Sequence, residues 1–200
     1  MSHTLCIETI CVKNRELKNL HYHQARLNKT RKELWGYSDK WDLPELIIIP
    51  DSIENELYKC RIAYGKEIDN IKWEPYSPRT IRKIQKVYDD TIDYSYKYDT
   101  RDELNTLFAQ REDADEILII KNGLVTDSFY CNVGFFDGEK WFTPTSYLLP
   151  GTQRALLLDS GIISEREIAE NDIQNYSHIK LFNAMVGWGN AAMLPVSAIG

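Results

Sequence analysis

Apolar and polar positions alternate in two different periods along this chain, and the period changes mark its elements. Thr4 to Val12 alternates with the two-residue period of a half-buried strand. Lys13 to Asn19 is a polar connection of hairpin type. His21 to Leu34 carries Tyr22, Ala25, Leu27 and Leu34 with no Gly or Pro, which predicts a helix ending at Gly36. Residues 37–44 read as a loop. Leu46 to Ile49 suits a short strand, and Pro50-Asp51-Ser52 then reads as a helix start, with Asp51 or Ser52 as cap. Tyr58 to Tyr64 and Ile68 to Pro75 are strands about a turn at Gly65-Lys66. These pieces predict a small antiparallel sheet with helices beside it.

Pro75 and Pro78 bracket an extended segment, and a boundary between two lobes fits within 77–93. The reading adopted is a small lobe over 1–85 and a larger one over 86–200. Ile81 to Asp90 is ambiguous between strand and helix, with strand preferred. Arg101 to Arg111 is a helix with Leu104, Leu107 and Phe108 on one face. Ile117 to Ile120 is a buried strand. Asn122-Gly123 supplies the positive φ angles of a tight hairpin turn. Leu124 to Phe136 is a second apolar run, interrupted at Thr126-Asp127-Ser128, and Lys140 to Thr143 returns after Asp137-Gly138. Leu148 to Arg154 reads as a tight turn feeding a helix over Gln153 to Asp159. Ser164 to Glu167 reads as a capped turn, Glu170 to Tyr176 as a short helix, Ile179 to Phe182 as a strand, and Leu194 to Ile199 as a last strand.

Composition narrows the function classes. The chain has 200 residues, enough for one large domain or two small ones. Its net charge of −6, with no basic stripe, argues against nucleic acid as a partner. No apolar run approaches a membrane span, and the first residues lack the pattern of a signal peptide. Cys6, Cys11, Cys60 and Cys131 show no CxxC spacing and read as reduced thiols of a cytoplasmic protein. His21, His23 and His178 have no ligand-like spacing, so no metal is implied.

Three places suggest chemistry. Lys97 sits among Tyr94, Tyr96 and Tyr98, where partial burial would lower the amine pKa and make it a nucleophile or base; alone, it reads more simply as a surface lysine lying along aromatic rings. Asp127 interrupts an apolar strand, so its carboxylate needs a partner if buried. Gly151-Thr152-Gln153 opens a helix, where backbone N–H groups and the helix dipole favour an anion. An acid and an anion cradle on neighbouring elements would suit a cofactor with a cationic ring and a phosphate.

Taken together, Glu8-Thr9, His23-Gln24-Ala25-Arg26-Leu27, Lys97, Val125 to Asn132, Leu149 to Arg154 and Asn183 to Trp188 resemble the class IV aminotransferases. That family includes branched-chain and D-amino acid aminotransferases and aminodeoxychorismate lyase. The resemblance implies an α+β, two-lobed fold-type IV enzyme, with a small antiparallel N-terminal lobe and a larger lobe holding a pseudo-barrel sheet. It implies pyridoxal 5′-phosphate as cofactor and a homodimer as the working form. Lys97 would form the Schiff base and shuttle the α-proton. Asp127 stands where the family usually has Glu, one methylene longer, and would keep the ring nitrogen protonated. Arg26 resembles the phosphate-binding arginine, and Gly151, Thr152 and Gln153 the phosphate turn, although Gln153 replaces the usual Thr. Asn183 lies in a stretch similar to one near the phosphate in the lyase branch. Arg101 and Arg61 are weaker candidates for a substrate carboxylate, and for Arg61 a structural ion pair is the simpler expectation.

Relative to the family, the chain lacks an opening segment and its smaller lobe is trimmed. The resemblance favours a lyase that releases pyruvate from aminodeoxychorismate to give 4-aminobenzoate, in the folate pathway. An amino acid transaminase is the alternative, and a family member retained only for binding is the third.

Overall fold

The computed structural model describes residues 4–200, and the chain divides into two compact units. The first comprises Met1–Pro78 with Tyr96–Thr100, and the second Arg79–Ser95 with Arg101–Gly200. A division at 85/86 would have cut through Ile84–Tyr88, a strand that pairs inside the second unit.

In the first unit, β1 (Cys6–Lys13), β2 (Glu16–Leu17), β3 (Tyr58–Tyr64) and β4 (Ile68–Pro75) form an antiparallel sheet in the order β2-β1-β3-β4. Asn14 and Arg15 take left-handed φ angles of 54° and 59°, which tightens the β1–β2 turn. The register pairs Cys6 with Tyr64, Glu8 with Ile62 and Ile10 with Cys60. Alternate side chains share a face, so the wholly buried Cys6, Glu8, Ile10 and Val12 lie together. Beside Glu8, the residues named on β1 and β3 all belong to one apolar core, which includes Leu27 of helix α1 (Leu20–Trp35). Gly36 ends α1 with φ 76°, and its N–H reaches the carbonyl of Lys32.

The expected strand at 46–49 and helix from Pro50 are not formed. A four-residue helix, α2 (Leu43–Leu46), lies there instead, with Asp42 before it and Pro44 in its first turn. Proline is well placed there because the first-turn N–H groups have no intrahelical acceptor. The helix-starting proline is thus Pro44 rather than Pro50.

The second unit begins with β5 (Ile84–Tyr88), parallel to β6 (Glu116–Lys121), with α3 (Asp102–Ala109) between them in sequence. Asn122 and Gly123, at φ 51° and 74°, turn β6 into β7 (Leu124–Ser128). The apolar run after Gly123 is two strands. It bends at Phe129–Cys131, and β8 (Asn132–Phe136) joins a different sheet. That sheet has the order β10-β9-β8-β11-β12, built with β9 (Trp141–Pro144), β10 (Ser164–Arg166), β11 (His178–Phe182) and β12 (Ala192–Pro195). Helix α4 (Thr152–Asp159) follows β9.

Ser164–Arg166 was expected as a turn, yet it pairs parallel to β9. All three residues are exposed, so no hydrophobic period betrays the strand. The final strand stops at Pro195, and Val196–Ala198 is a 3-10 turn. Glu170–Asn175 is also 3-10. The core of this unit gathers Leu118, Val125, Val133, Phe135, Ile179 and Leu181 from both sheets. The α+β, sheet-dominated architecture is the expected one, and no helix among the described residues is long and apolar enough to cross a membrane.

Leu27 is fully buried on the α1 face that covers the small sheet. Leu27→Ala should cost about 3 kcal/mol of stability, from lost burial and the cavity left behind, measured by urea unfolding.

Candidate active site

In each unit a buried carboxylate organises a group of the residues singled out from the sequence. In the first unit the carboxylate is Glu8. His23 and Arg26 lie three apart on α1, hence on one helix face, directed at the inner face of β1. Arg26 Nε donates to Glu8 Oε1 at 2.9 Å, and Nη2 donates to Oε2 at 2.6 Å. This two-pronged pairing fixes the guanidinium plane. His23 Nδ1 lies 2.6 Å from the same Oε2.

Burial works to raise the Glu8 pKa, but Arg26 and His23 overcome it and bring it down to about 2. Burial also pushes His23 down, against the pull of Glu8. His23 is therefore a neutral imidazole donating from Nδ1 to an ionised, acceptor-only carboxylate.

Lys97 belongs to the same unit. Its carbonyl accepts from the Ile7 N–H at 2.8 Å, and the Asp99 N–H donates to Leu5 at 2.9 Å. Cys6 and Tyr98 form the bridge between them, so residues 97–99 run as an extra antiparallel strip along β1. Lys97 is half-buried, and its charge is one of those acting on His23. Arg61, opposite Thr9 on β3, is ion-paired with Asp99. It thereby ties down the strip that carries Lys97.

In the second unit the carboxylate is Asp127, on β7 and buried. Oδ2 accepts the N–H groups of Leu148 and Leu149, at 2.9 and 3.0 Å. Oδ1 accepts Asn132 Nδ2 at 2.8 Å. Desolvation dominates and raises the Asp127 pKa to about 6, although all three hydrogen bonds and the charge of Arg154 oppose it. A carboxylate held this way gains from a cationic N–H partner.

The Leu148–Leu149 turn that holds Asp127 continues into Gly151, the residue before α4. Gly151 provides no side-chain cap to the helix. The first-turn backbone N–H groups at Thr152 and Gln153 carry the positive end of the helix dipole, and both side chains are buried. Arg154 anchors the helix by donating to the Pro144 carbonyl at 3.0 Å and to Glu165 at 2.6 Å.

Arg101 and Asn183 meet at the bend between β7 and β8. Arg101 donates to the Phe129 carbonyl, and its guanidinium lies 4.5 Å over the Phe129 ring and 4.7 Å over that of Tyr130. Asn183 Nδ2 donates to the Tyr130 carbonyl at 3.3 Å, while its Oδ1 accepts the N–H groups of Met185 and Val186 at 2.9 and 3.0 Å. Both hold the bend that directs β8 away from β7. Among the described residues, no cluster of three or more side chains suits a metal ion.

Glu8, His23 and Asn132 stand in the stretches that carry the family resemblance, but the sequence assigns them no role: Glu8 and His23 are the partners of Arg26, and Asn132 the partner of Asp127. Glu8 had a usable signal, as the one charged residue among alternating inward positions of β1. Asn132 offered none beyond its spacing.

Comparison with known proteins follows the same residues. The family model for class IV amino-transferases matches residues 101–198. That span includes Asp127 and the Gly151 turn, and excludes Arg26 and Lys97. An uncharacterised protein of Haemophilus influenzae is 44% identical over 182 residues, covering 90% of this chain and 97% of the relative. The crystal structure of a Haemophilus somnus protein, provisionally assigned as a 4-amino-4-deoxychorismate lyase, is 36% identical with a TM-score of 0.87, covering 94% of this chain and 100% of that one. A hypothetical aminotransferase from Mycobacterium tuberculosis, in its PLP-bound form, shares the fold at 16% identity and a TM-score of 0.74, over 96% of this chain and 81% of that one.

The two carboxylates predict opposite pH dependences for the cofactor-free protein. Glu8, lowered from 4.5 to about 2, adds stability that is present above pH 4.5 and lost as pH falls toward 2. Asp127, raised from 3.8 to about 6, favours the fold when protonated, so its contribution is present below pH 3.8 and lost as pH rises through 6. Urea unfolding against pH should show Glu8→Gln removing the rise in the lower window and Asp127→Asn removing the decline in the upper one.

Proposed function

Because the chain belongs to the class IV aminotransferase family, we propose that it is a pyridoxal-phosphate enzyme of the lyase branch, converting 4-amino-4-deoxychorismate to 4-aminobenzoate and pyruvate. The observation that carries the cofactor assignment is Asp127: a buried carboxylate held by two backbone N–H groups and an amide, in surroundings that reward a cationic partner. The likeness to the Haemophilus somnus protein supports the lyase branch. Family members use pyridoxal phosphate, and this chain carries residues whose chemistry suits its parts. Asp127 would hold the ring N–H. Arg26, fixed by Glu8, and the first turn of α4 would hold the phosphate. Lys97 would bear the reactive amine.

When bound, the cofactor supplies an aldehyde for the substrate amine and a ring that accepts electrons from the carbon next to it. The chain's own residues do the rest. Lys97 Nζ takes the proton from the carbon bearing the amine. The bond from the neighbouring ring carbon to the enolpyruvyl oxygen then breaks, and a proton returns to the departing enol to give pyruvate. Substrate and products balance without an oxidant or reductant, and aromatisation drives the step. Asp127, ionised above its own pKa, would hold the proton at the ring nitrogen. Glu8 neutralises one unit of charge beside Lys97 and Arg26, and neutral His23 adds none. On the same reading the enzyme works as a cytoplasmic homodimer, which a solution mass measurement checks.

Purified protein supplied with pyridoxal phosphate should release 4-aminobenzoate and pyruvate in equal amounts from aminodeoxychorismate. Lys97→Ala should lower that rate by about a thousandfold, within the range expected for loss of a general base. Keto-acid exchange between amino acids and 2-oxoglutarate without any 4-aminobenzoate would overturn the lyase reading in favour of a transaminase.

A further inference from the structure

Gly151 has no conformational reason to be glycine. Its φ of −67° and ψ of 140° lie in the extended region open to any residue. What excludes a side chain is Asn132. A β-carbon on residue 151 would stand 1.8 Å from Asn132 Oδ1 and 3.0 Å from its Cγ. No adjustment of a few tenths of an ångström relieves the first distance, so the amide would have to leave its place.

The place of that amide is defined by its other end. Asn132 Nδ2 donates to Asp127 Oδ1 at 2.8 Å and to the Leu149 carbonyl at 3.1 Å. Leu149 in turn donates its N–H to Asp127 Oδ2. Acid, amide and turn form a closed ring of hydrogen bonds, and Gly151 packs against its remaining corner. Asn132 lies at the start of β8, and its backbone pairs with Phe182 of β11, so the strut is rooted in the sheet.

We propose that Asn132 is a positioning residue that locks the acid at 127 and the turn at 149–151 into one rigid unit, and that residue 151 is glycine in order to admit it. Resting on the cofactor reading above, this means that the group holding the ring nitrogen and the turn holding the phosphate are set at a fixed spacing by one amide that donates to both. A lone glycine cradle would allow either to move without the other.

The test is a double-mutant cycle on Asn132→Ala and Gly151→Ala with two readouts. The first needs no cofactor: titration of the Asp127 carboxyl by carbon NMR. Asn132→Ala should raise its midpoint, because a hydrogen bond to the ionised form is lost. Gly151→Ala should raise it too, since the new methyl displaces the amide. The second readout is affinity for pyridoxal phosphate against pyridoxal. Each single variant should lose roughly tenfold in phosphate-specific preference, and the double variant little more, as expected for two changes that break one contact. Asn132→Ser, too short to span the gap, serves if the alanine variant does not fold. An unchanged Asp127 midpoint in Gly151→Ala would overturn the proposal, as would losses that multiply in the double variant. If the wild type binds no pyridoxal phosphate, the cofactor reading fails while the titration still decides the role of Asn132.

Discussion

A carboxylate taken out of water must be repaid by hydrogen bonds or charge, and this fold meets that requirement in opposite ways at Glu8 and Asp127. Glu8 is answered in full. Two arginine nitrogens and an imidazole hold it ionised, so it acts as a fixed negative anchor. Asp127 accepts hydrogen bonds from neutral donors, and these with the charge of Arg154 do not offset its desolvation, which leaves its ionised form costly. Titratable groups pushed apart by their surroundings are how one protein divides structural from chemical roles among like residues. Glu8 orients Arg26, whereas Asp127 has no charged hydrogen-bond partner of its own.

The elements that meet these needs are ordinary ones. β1 brings Glu8 inward by simple alternation, and α1 brings His23 and Arg26 to it by a three-residue spacing. The strip at 97–99 adds Lys97 to the same strand, held by backbone pairing and by the Arg61–Asp99 ion pair. In the second unit, the break between β7 and β8 at Phe129–Cys131 lets Asp127 and Asn132 come from different sheets yet meet side by side. Glu116 reinforces that break, since Oε1 of its buried carboxyl accepts the Phe129 N–H at 3.2 Å.

Much of this was legible in the sequence. The strands around Gly65 and Asn122-Gly123 follow from alternation and turn chemistry, and the end of α1 at Gly36 from its left-handed conformation. Asp127 stood out by interrupting an apolar strand and Lys97 by its tyrosine neighbours, whereas Arg26 was singled out by family resemblance alone. What was not legible depends on distant pairing. Ser164–Arg166 is a strand only because β9 offers it an edge. Arg101 and Asn183 have their polar groups on one bend, a fact that no local pattern encodes. Gly151 reads as a phosphate glycine from its place before a helix, and only the folded chain brings Asn132 into the space of its missing side chain.

The central claim is that Asp127 is built to keep a cationic ring nitrogen protonated. Nitrogen NMR of the protein loaded with pyridoxal phosphate labelled at the ring nitrogen tests this directly. At a pH well above 6, the account predicts a protonated ring nitrogen in the wild type and a deprotonated one in Asp127→Asn. A deprotonated nitrogen in the wild type, or the same signal in both proteins, would contradict it.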